Sequence, residues 1–176
     1  LTKLARLDLS MNNITVIGIK ELVSYFKRLG VLEFLDISNN MIGDDGIKIL
    51  ADNLTHVPKL NYLDLSKNKI GDNGIISLAN NLKHVLNLGN LYLDSNKISN
   101  KGALALINQL NITKIYILGL NNNQIKDVDK IKKLITNFDG TINFNVTLTD
   151  QIIQTHICIP NVRGEYDTMD CEGEEY

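Results

Sequence analysis

The chain has 176 residues, 44% apolar and 22% charged, with a formal net charge of −2, which fits one folded domain. No field of one sign draws it to nucleic acid or to a membrane surface. Its uncharged runs, such as Gly102–Thr113, fall short of the roughly 20 apolar residues that a membrane helix needs. Both cysteines, Cys158 and Cys171, lie in the last nineteen residues. Neither a disulfide framework nor a structural zinc site is therefore expected to hold the body together.

From the first residue the chain repeats itself. Leu4, Leu7, Leu9, Asn12 and Ile14 set a spacing that returns at Leu32, Leu35, Ile37, Asn40 and Ile42. It returns at Leu60, Leu63, Leu65, Asn68 and Ile70, and at Leu88, Leu91, Leu93, Asn96 and Ile98. A fifth copy is Ile115, Leu118, Leu120, Asn123 and Ile125, and the steps are 28, 28, 28 and 27 residues. A fixed period of this size marks a solenoid.

The second half of each period has a helical pattern. Gly18, Gly46, Gly74 and Gly102 share one position. Leu22, Leu50, Leu78 and Leu106 follow four residues later, then Phe26, Leu54, Leu82 and Leu110. Apolar residues at i and i+4 line one helix face. Asp44, Asp72 and Asn100 precede the glycines by two, where N-caps of these helices are expected. Each repeat thus predicts a short strand, a turn and a helix.

These residues resemble the leucine-rich repeat family, in its ribonuclease-inhibitor-like subclass of 28-residue repeats, over 1–138. The resemblance implies an α/β solenoid, a horseshoe with a parallel β-sheet on the concave side and α-helices on the convex side. The curvature follows because strands stack about 4.8 Å apart while helices are about 10 Å across. Asn12, Asn40, Asn68, Asn96 and Asn123 fall where the chain leaves each strand. Their amides are expected to satisfy backbone groups of adjacent turns, forming a ladder.

The ends depart from the pattern. Leu1 has the phase of Leu29, so the chain is expected to open inside the solenoid, as a fragment of a longer array or with an end that a partner covers. The fifth helix lacks the glycine and shifts to Val128, Ile131, Ile135 and Phe138. Ile142, Phe144, Val146 and Leu148, then Thr155, Ile157 and Ile159, alternate as strands do. Residues 139–176 are accordingly read as C-terminal cap strands and an acidic tail. Residues 1–138 hold 17 basic and 12 acidic side chains, whereas 139–176 hold one arginine and eight acids. The stretch Glu165–Tyr176 is expected to be disordered.

No catalytic constellation emerges, and the chain is read as not an enzyme, with no metal site and no cofactor. His56 and His84 are one repeat position taken twice, in the turn before a strand. The sequons at Asn13, Asn53, Asn111 and Asn145 would matter only after secretion. Cys158 and Cys171 either pair as a tail clip or stay as free thiols.

The strand residues between the leucines should face away from the core. They form three columns: Arg6, Phe34, Tyr62, Asn90, Ile117; Asp8, Asp36, Asp64, Tyr92, Gly119; and Ser10, Ser38, Ser66, Asp94, Asn121. Three of the ten aromatics in the chain, Phe34, Tyr62 and Tyr92, share this face. Either they anchor a partner, or they cover one another across neighbouring strands. Phe34, Tyr62, Tyr92, Asp36, Asp64 and Asp94 are the candidate partner-binding residues. Lys67, Lys69, Lys97 and Lys101 form a second candidate patch on the rim.

The expected function is protein–protein interaction through the concave face, with a protein partner, no nucleic acid and no membrane. A cytoplasmic location is expected. Two alternatives come from resemblance. The chain is similar to Ran GTPase-activating proteins, although only Arg6 among its three arginines is expected on the concave side. It also resembles secreted effectors of intracellular bacteria, with Asp170–Glu175 looking like a C-terminal export signal.

Overall fold

The structure, a computed structural model, describes residues 3–110, 113–127 and 131 in full and the backbone of 141–148 and 151–158. Four repeats run strand, turn, helix: β1 Arg6–Asp8 with α1 Val16–Ser24, and β2 Phe34–Asp36 with α2 Gly43–Asp52. Next come β3 Tyr62–Asp64 with α3 Asp72–Asn81, and β4 Asn90–Tyr92 with α4 Asn100–Ile107. The strand β5 Ile117–Gly119 opens the fifth. Strands β1 to β5 are parallel neighbours in sequence order. Each pairs with the next exactly one period on, so Leu7, Leu35, Leu63, Leu91 and Leu118 align across the sheet.

That register sorts side chains by face. Leu35, Leu63, Leu91 and Leu118 are fully buried, while Phe34, Asp36, Tyr62, Asp64 and Tyr92 between them keep partial exposure. The helices close the core from the other side through Ile47, Leu50, Ile75, Leu78, Ala103 and Leu106. Since the strands need less room per repeat than the helices, the sheet forms the inner wall of the curve.

The asparagine ladder is present. Nδ2 of Asn68 donates to the carbonyls of Ile37 at 2.9 Å, Leu65 at 3.1 Å and Ser66 at 3.1 Å. Its Oδ1 accepts the N–H of Ile42 at 3.4 Å. Asn40, Asn96 and Asn123 repeat the arrangement, each joining its own turn to that of the preceding repeat. Asn68 is completely buried, so these bonds are the means by which its amide escapes a desolvation penalty.

Two expectations about the helices need correction. Asp44, Asp72 and Asn100 are not the caps of their own helices; the N-cap positions are Ile42, Gly71 and Ser99. Their oxygens point instead to the following repeat. Asp44 Oδ1 accepts the N–H of Gly71 at 2.6 Å. Asp72 accepts the N–H of Ser99 at 2.8 Å, that of Gly102 at 3.1 Å and the Ser99 hydroxyl at 2.6 Å. Asn100 Oδ1 accepts from Lys126 at 2.8 Å and Asp127 at 3.1 Å. A second ladder therefore ties the starts of α2, α3 and α4 to the next repeat. It also accounts for Gly74 and Gly102. A Cβ on Gly74 would stand 2.8 Å from Asp44 Oδ1 and 3.0 Å from Asp44 Cα, and one on Gly102 2.6 Å from Asp72 Oδ1. At Gly18 and Gly46 the nearest group is instead the side chain of Ile14 and of Ile42.

The second correction concerns Phe26, Leu54 and Leu82. The α-helices stop before them, and each instead begins a 3₁₀ turn, Phe26–Arg28, Leu54–His56 and Leu82–His84. All three remain buried. A tight 3₁₀ turn puts their side chains inward and still bends the chain back to the sheet.

Beyond β5 the sheet continues. Strand β6 Thr141–Leu148 pairs with β5 in parallel, setting Ile142 beside Leu118, and β7 Gln151–Cys158 pairs with β6 antiparallel. Ile131 is buried. Leu1, Val128, Ile135, Phe138, Ile159, Cys171 and the tail Glu165–Tyr176 lie outside the described residues.

Candidate functional site

The open face of the sheet carries one continuous row of rings. The Phe34 and Tyr62 rings stack with centroids 4.2 Å apart and 12° between planes. Tyr92 continues the row at 5.3 Å from Tyr62, tilted 43°. The Arg6 guanidinium lies 3.4 Å from the Phe34 centroid, over the ring at the other end. Stacking across adjacent strands follows from register, since Arg6, Phe34 and Tyr62 are paired positions of β1, β2 and β3. Tyr92 sits one column over, paired with Asp64, and leans toward Tyr62. The rings thus do cover one another, and each is half-buried rather than fully exposed.

Carboxylates flank this row. Asp36 Oδ1 accepts the N–H of Ser38 at 2.9 Å, and Asp64 Oδ1 that of Ser66 at 2.8 Å. Asp8 does the same for Ser10 at 3.0 Å. The aspartate column therefore shapes each strand exit with an Asx turn. Asp94 belongs to the next column and reaches across instead, its Oδ1 accepting the N–H of Asn121 at 2.8 Å. Its other oxygen lies over Gly119, where a Cβ would stand 3.1 Å from Tyr92 Cδ1 and closer still to Asp94 Oδ2. Gly119 thus makes the room that Tyr92 and Asp94 occupy.

The electrostatics of these groups differ from those of ordinary surface acids. Burial pushes the Asp64 carboxyl above its usual value, and the charges of Asp36 and Asp8 add to this against the Ser66 hydrogen bonds. Burial also raises Asp94, with Asp64 adding and Asn121 opposing. The Tyr62 hydroxyl is pushed up to about 12 by burial and by the neighbouring charge of Asp64. Tyr92 rises for the same reasons. Asp8 goes the other way, held down by its hydrogen bonds to Ser10.

The six candidate residues therefore fall in one patch with Arg6, which was expected on this face, and the sequence missed one further member. Tyr116 is exposed beside it, lying against Gly89, and its hydroxyl accepts from Asn90 Nδ2 at 3.0 Å. Arg6 is stacked rather than free. The side chains of Lys67, Lys69, Lys97 and Lys101 are exposed on the rim. Lys67 and Lys69 hold left-handed backbone, at φ of 55° and 59°. His56 and His84 end their 3₁₀ turns, as expected of a turn position.

The family model for the Leucine Rich repeat matches residues 1–23, 31–51 and 56–79, which are the first three copies of the period. Those three copies are leucine-rich repeats. Leucine-rich-repeat scaffolds are typically non-enzymatic and typically bind proteins. No curated protein matches the chain. Among solved structures it is similar to an internalin from Listeria monocytogenes, at 20% identity and a TM-score of 0.46. That similarity covers 84% of this chain and 49% of the internalin, so the chain spans about half the length of that structure. Among the described residues no helix is long and apolar enough to cross a membrane. Among the same residues no group of three His, Cys, Asp or Glu is placed to hold a metal ion.

Proposed function

We propose that this leucine-rich-repeat chain recognises a partner protein on the concave face of its sheet, with Phe34, Tyr62 and Tyr92 as anchors and Asp36, Asp64 and Asp94 beside them. The observation that carries the reading is the unbroken Arg6–Phe34–Tyr62–Tyr92 row on the open face, its rings half-exposed. Rings locked by their neighbours lose little entropy when a partner covers them, so most of the contact area contributes to affinity. The face belongs to a rigid ladder of backbone bonds and needs no ordering on binding. The 28, 28, 28 and 27-residue steps and the α-helix in each of the first four repeats favour the ribonuclease-inhibitor-like subclass. The role is binding without catalysis, cofactor or metal.

The test is affinity capture with the wild-type chain and a Phe34→Ala, Tyr62→Ala, Tyr92→Ala variant of verified helicity and melting temperature. A partner held by the first and lost by the second supports the concave face. A partner held equally by both removes it.

A further inference from the structure

Resting on that reading, we infer that the partner side chain seated at the Tyr62–Tyr92 end of the row is cationic, an arginine or lysine from a basic segment. Three observations lead there. The first is the row itself, which already takes a guanidinium at one end. Arg6 covers Phe34 at 3.4 Å, as the negative face of an aromatic ring favours, and reaches Tyr62 only through its charge. Among the described residues no cation stacks on the ring of Tyr62 or Tyr92.

The second observation is the charge around those two rings. Tyr92 lies between Asp64, its strand partner, and Asp94, whose carboxylate shares the space over Gly119 with the Tyr92 ring. Asp36 is one strand away, paired with Asp64. Asp36 and Asp64 stand on adjacent strands about 4.8 Å apart, and Asp94 follows the next strand. The charges acting on Asp64 and Asp94 come from other carboxylates. The chain's own lysines on the rim form no ion pair with them among the described residues.

The third observation is how the acids are held. Asp64 and Asp94 each commit Oδ1 to a backbone N–H, of Ser66 and Asn121 respectively. This fixes the carboxylates beside the rings. A flat guanidinium lying on a ring face and meeting carboxylates at its edge uses both its stacking and its donor geometry. The convex side presents no comparable arrangement among the described residues. Its cavity of about 370 Å³, lined by Asp44, Asp45, Lys48, Asn73, Ile76 and Ser77, includes a lysine of its own, and Asp44 is already bonded to Gly71.

The probe is a dye-labelled oligo-arginine peptide titrated against the full chain by fluorescence anisotropy, with oligo-lysine and oligo-glutamate of equal length alongside. Binding by the basic peptides alone is expected, strongest for arginine and weakened by added salt. Asp64→Asn with Asp94→Asn keeps the oxygen that accepts each backbone N–H, and should weaken binding about tenfold. Tyr62→Leu with Tyr92→Leu keeps apolar area without the ring face, and should weaken it about threefold. Glu172→Gln, Glu174→Gln and Glu175→Gln should leave binding unchanged.

Binding that survives the aspartate variant and disappears with the glutamate variant overturns the inference, because the acidic tail is then the site. A natural partner lost by the triple alanine variant, yet indifferent to the aspartate variant and to salt, also overturns it. That second result leaves concave recognition standing. A partner unaffected by either variant removes both.

Discussion

Two columns of acidic side chains run through the same solenoid and do different work. Asp44 and Asp72, joined by Asn100, stand at helix starts and spend their oxygens on backbone N–H groups of the next repeat. Asp36 and Asp64, with Asp94 alongside, stand on the open sheet face. There they serve turn N–H groups and otherwise meet rings and one another. The helix-start carboxylates meet donors of the next repeat, on both oxygens in Asp72, whereas Asp94 takes one such donor, Asn121, and keeps its other oxygen beside Tyr92 over Gly119. Where the neighbouring repeat supplies another carboxylate, as Asp36 does for Asp64, that charge helps raise the Asp64 carboxyl instead.

The largest expected effect lies with the ladder amide that both columns depend on for register. Asn68→Ala strands buried carbonyls of Ile37 and Leu65, each worth about 1–3 kcal/mol. Urea unfolding should show a loss of about 3 kcal/mol, with concave binding reduced only through stability. Asp72→Ala removes three hydrogen bonds to Ser99 and Gly102. It should cost about 2 kcal/mol while leaving partner affinity per folded molecule unchanged. A drop in affinity at constant folded fraction would erase the distinction between the two columns.

Gly74→Ala pushes a methyl toward Asp44 Oδ1 and the Asp44 backbone, and should cost about 1–3 kcal/mol by overpacking. Gly30→Ala, where nothing lies within 4 Å, serves as the tolerated control. Lys67→Gly relieves a left-handed residue at φ 55°. It should raise stability by up to about 1 kcal/mol, measured by the same unfolding curves.

The smallest effect sharpens the comparison most. The folded Asp64 carboxyl binds its proton more readily than the unfolded one, since burial and the charges of Asp36 and Asp8 raise it above 3.8. Its contribution to stability is therefore gained as pH falls through the raised value and lost again as pH climbs back. Asp64→Asn should raise the melting temperature at neutral pH and flatten that dependence while weakening a cationic ligand. A lower melting temperature at neutral pH would instead make Asp64 a structural residue like Asp72.

Much of this was legible in advance because a period of 28 places each residue type in a column. Leu35, Leu63 and Leu91 in the core, Asn40, Asn68 and Asn96 in the ladder, and Phe34, Tyr62 and Tyr92 on the open face follow from spacing alone. Spacing does not say which repeat an oxygen faces, so Asp44 and Asp72 read as caps of their own helices although their donors lie 27 residues on. The pattern at Phe26, Leu54 and Leu82 continued a helical face, yet an α-helix prolonged there would overshoot the next strand. The left-handed position shared by Met11, Asn39, Lys67, Ser95 and Asn122 left no trace, because the residues there have no chemistry in common. Tyr116 was invisible for another reason: its place beside Asn90 depends on Gly89 in the preceding repeat leaving room.

The sequence by itself determined the period, the strand register and the inward and outward faces, since those depend on local alternation and on repeating it. Only the tertiary structure decided what each outward group meets. The angle between Tyr62 and Tyr92, the stacking of Arg6 on Phe34 and the sharing of space over Gly119 all arise between strands. Contacts of that kind depend on how neighbouring repeats stack, a distance and rotation that the pattern within a single repeat does not encode.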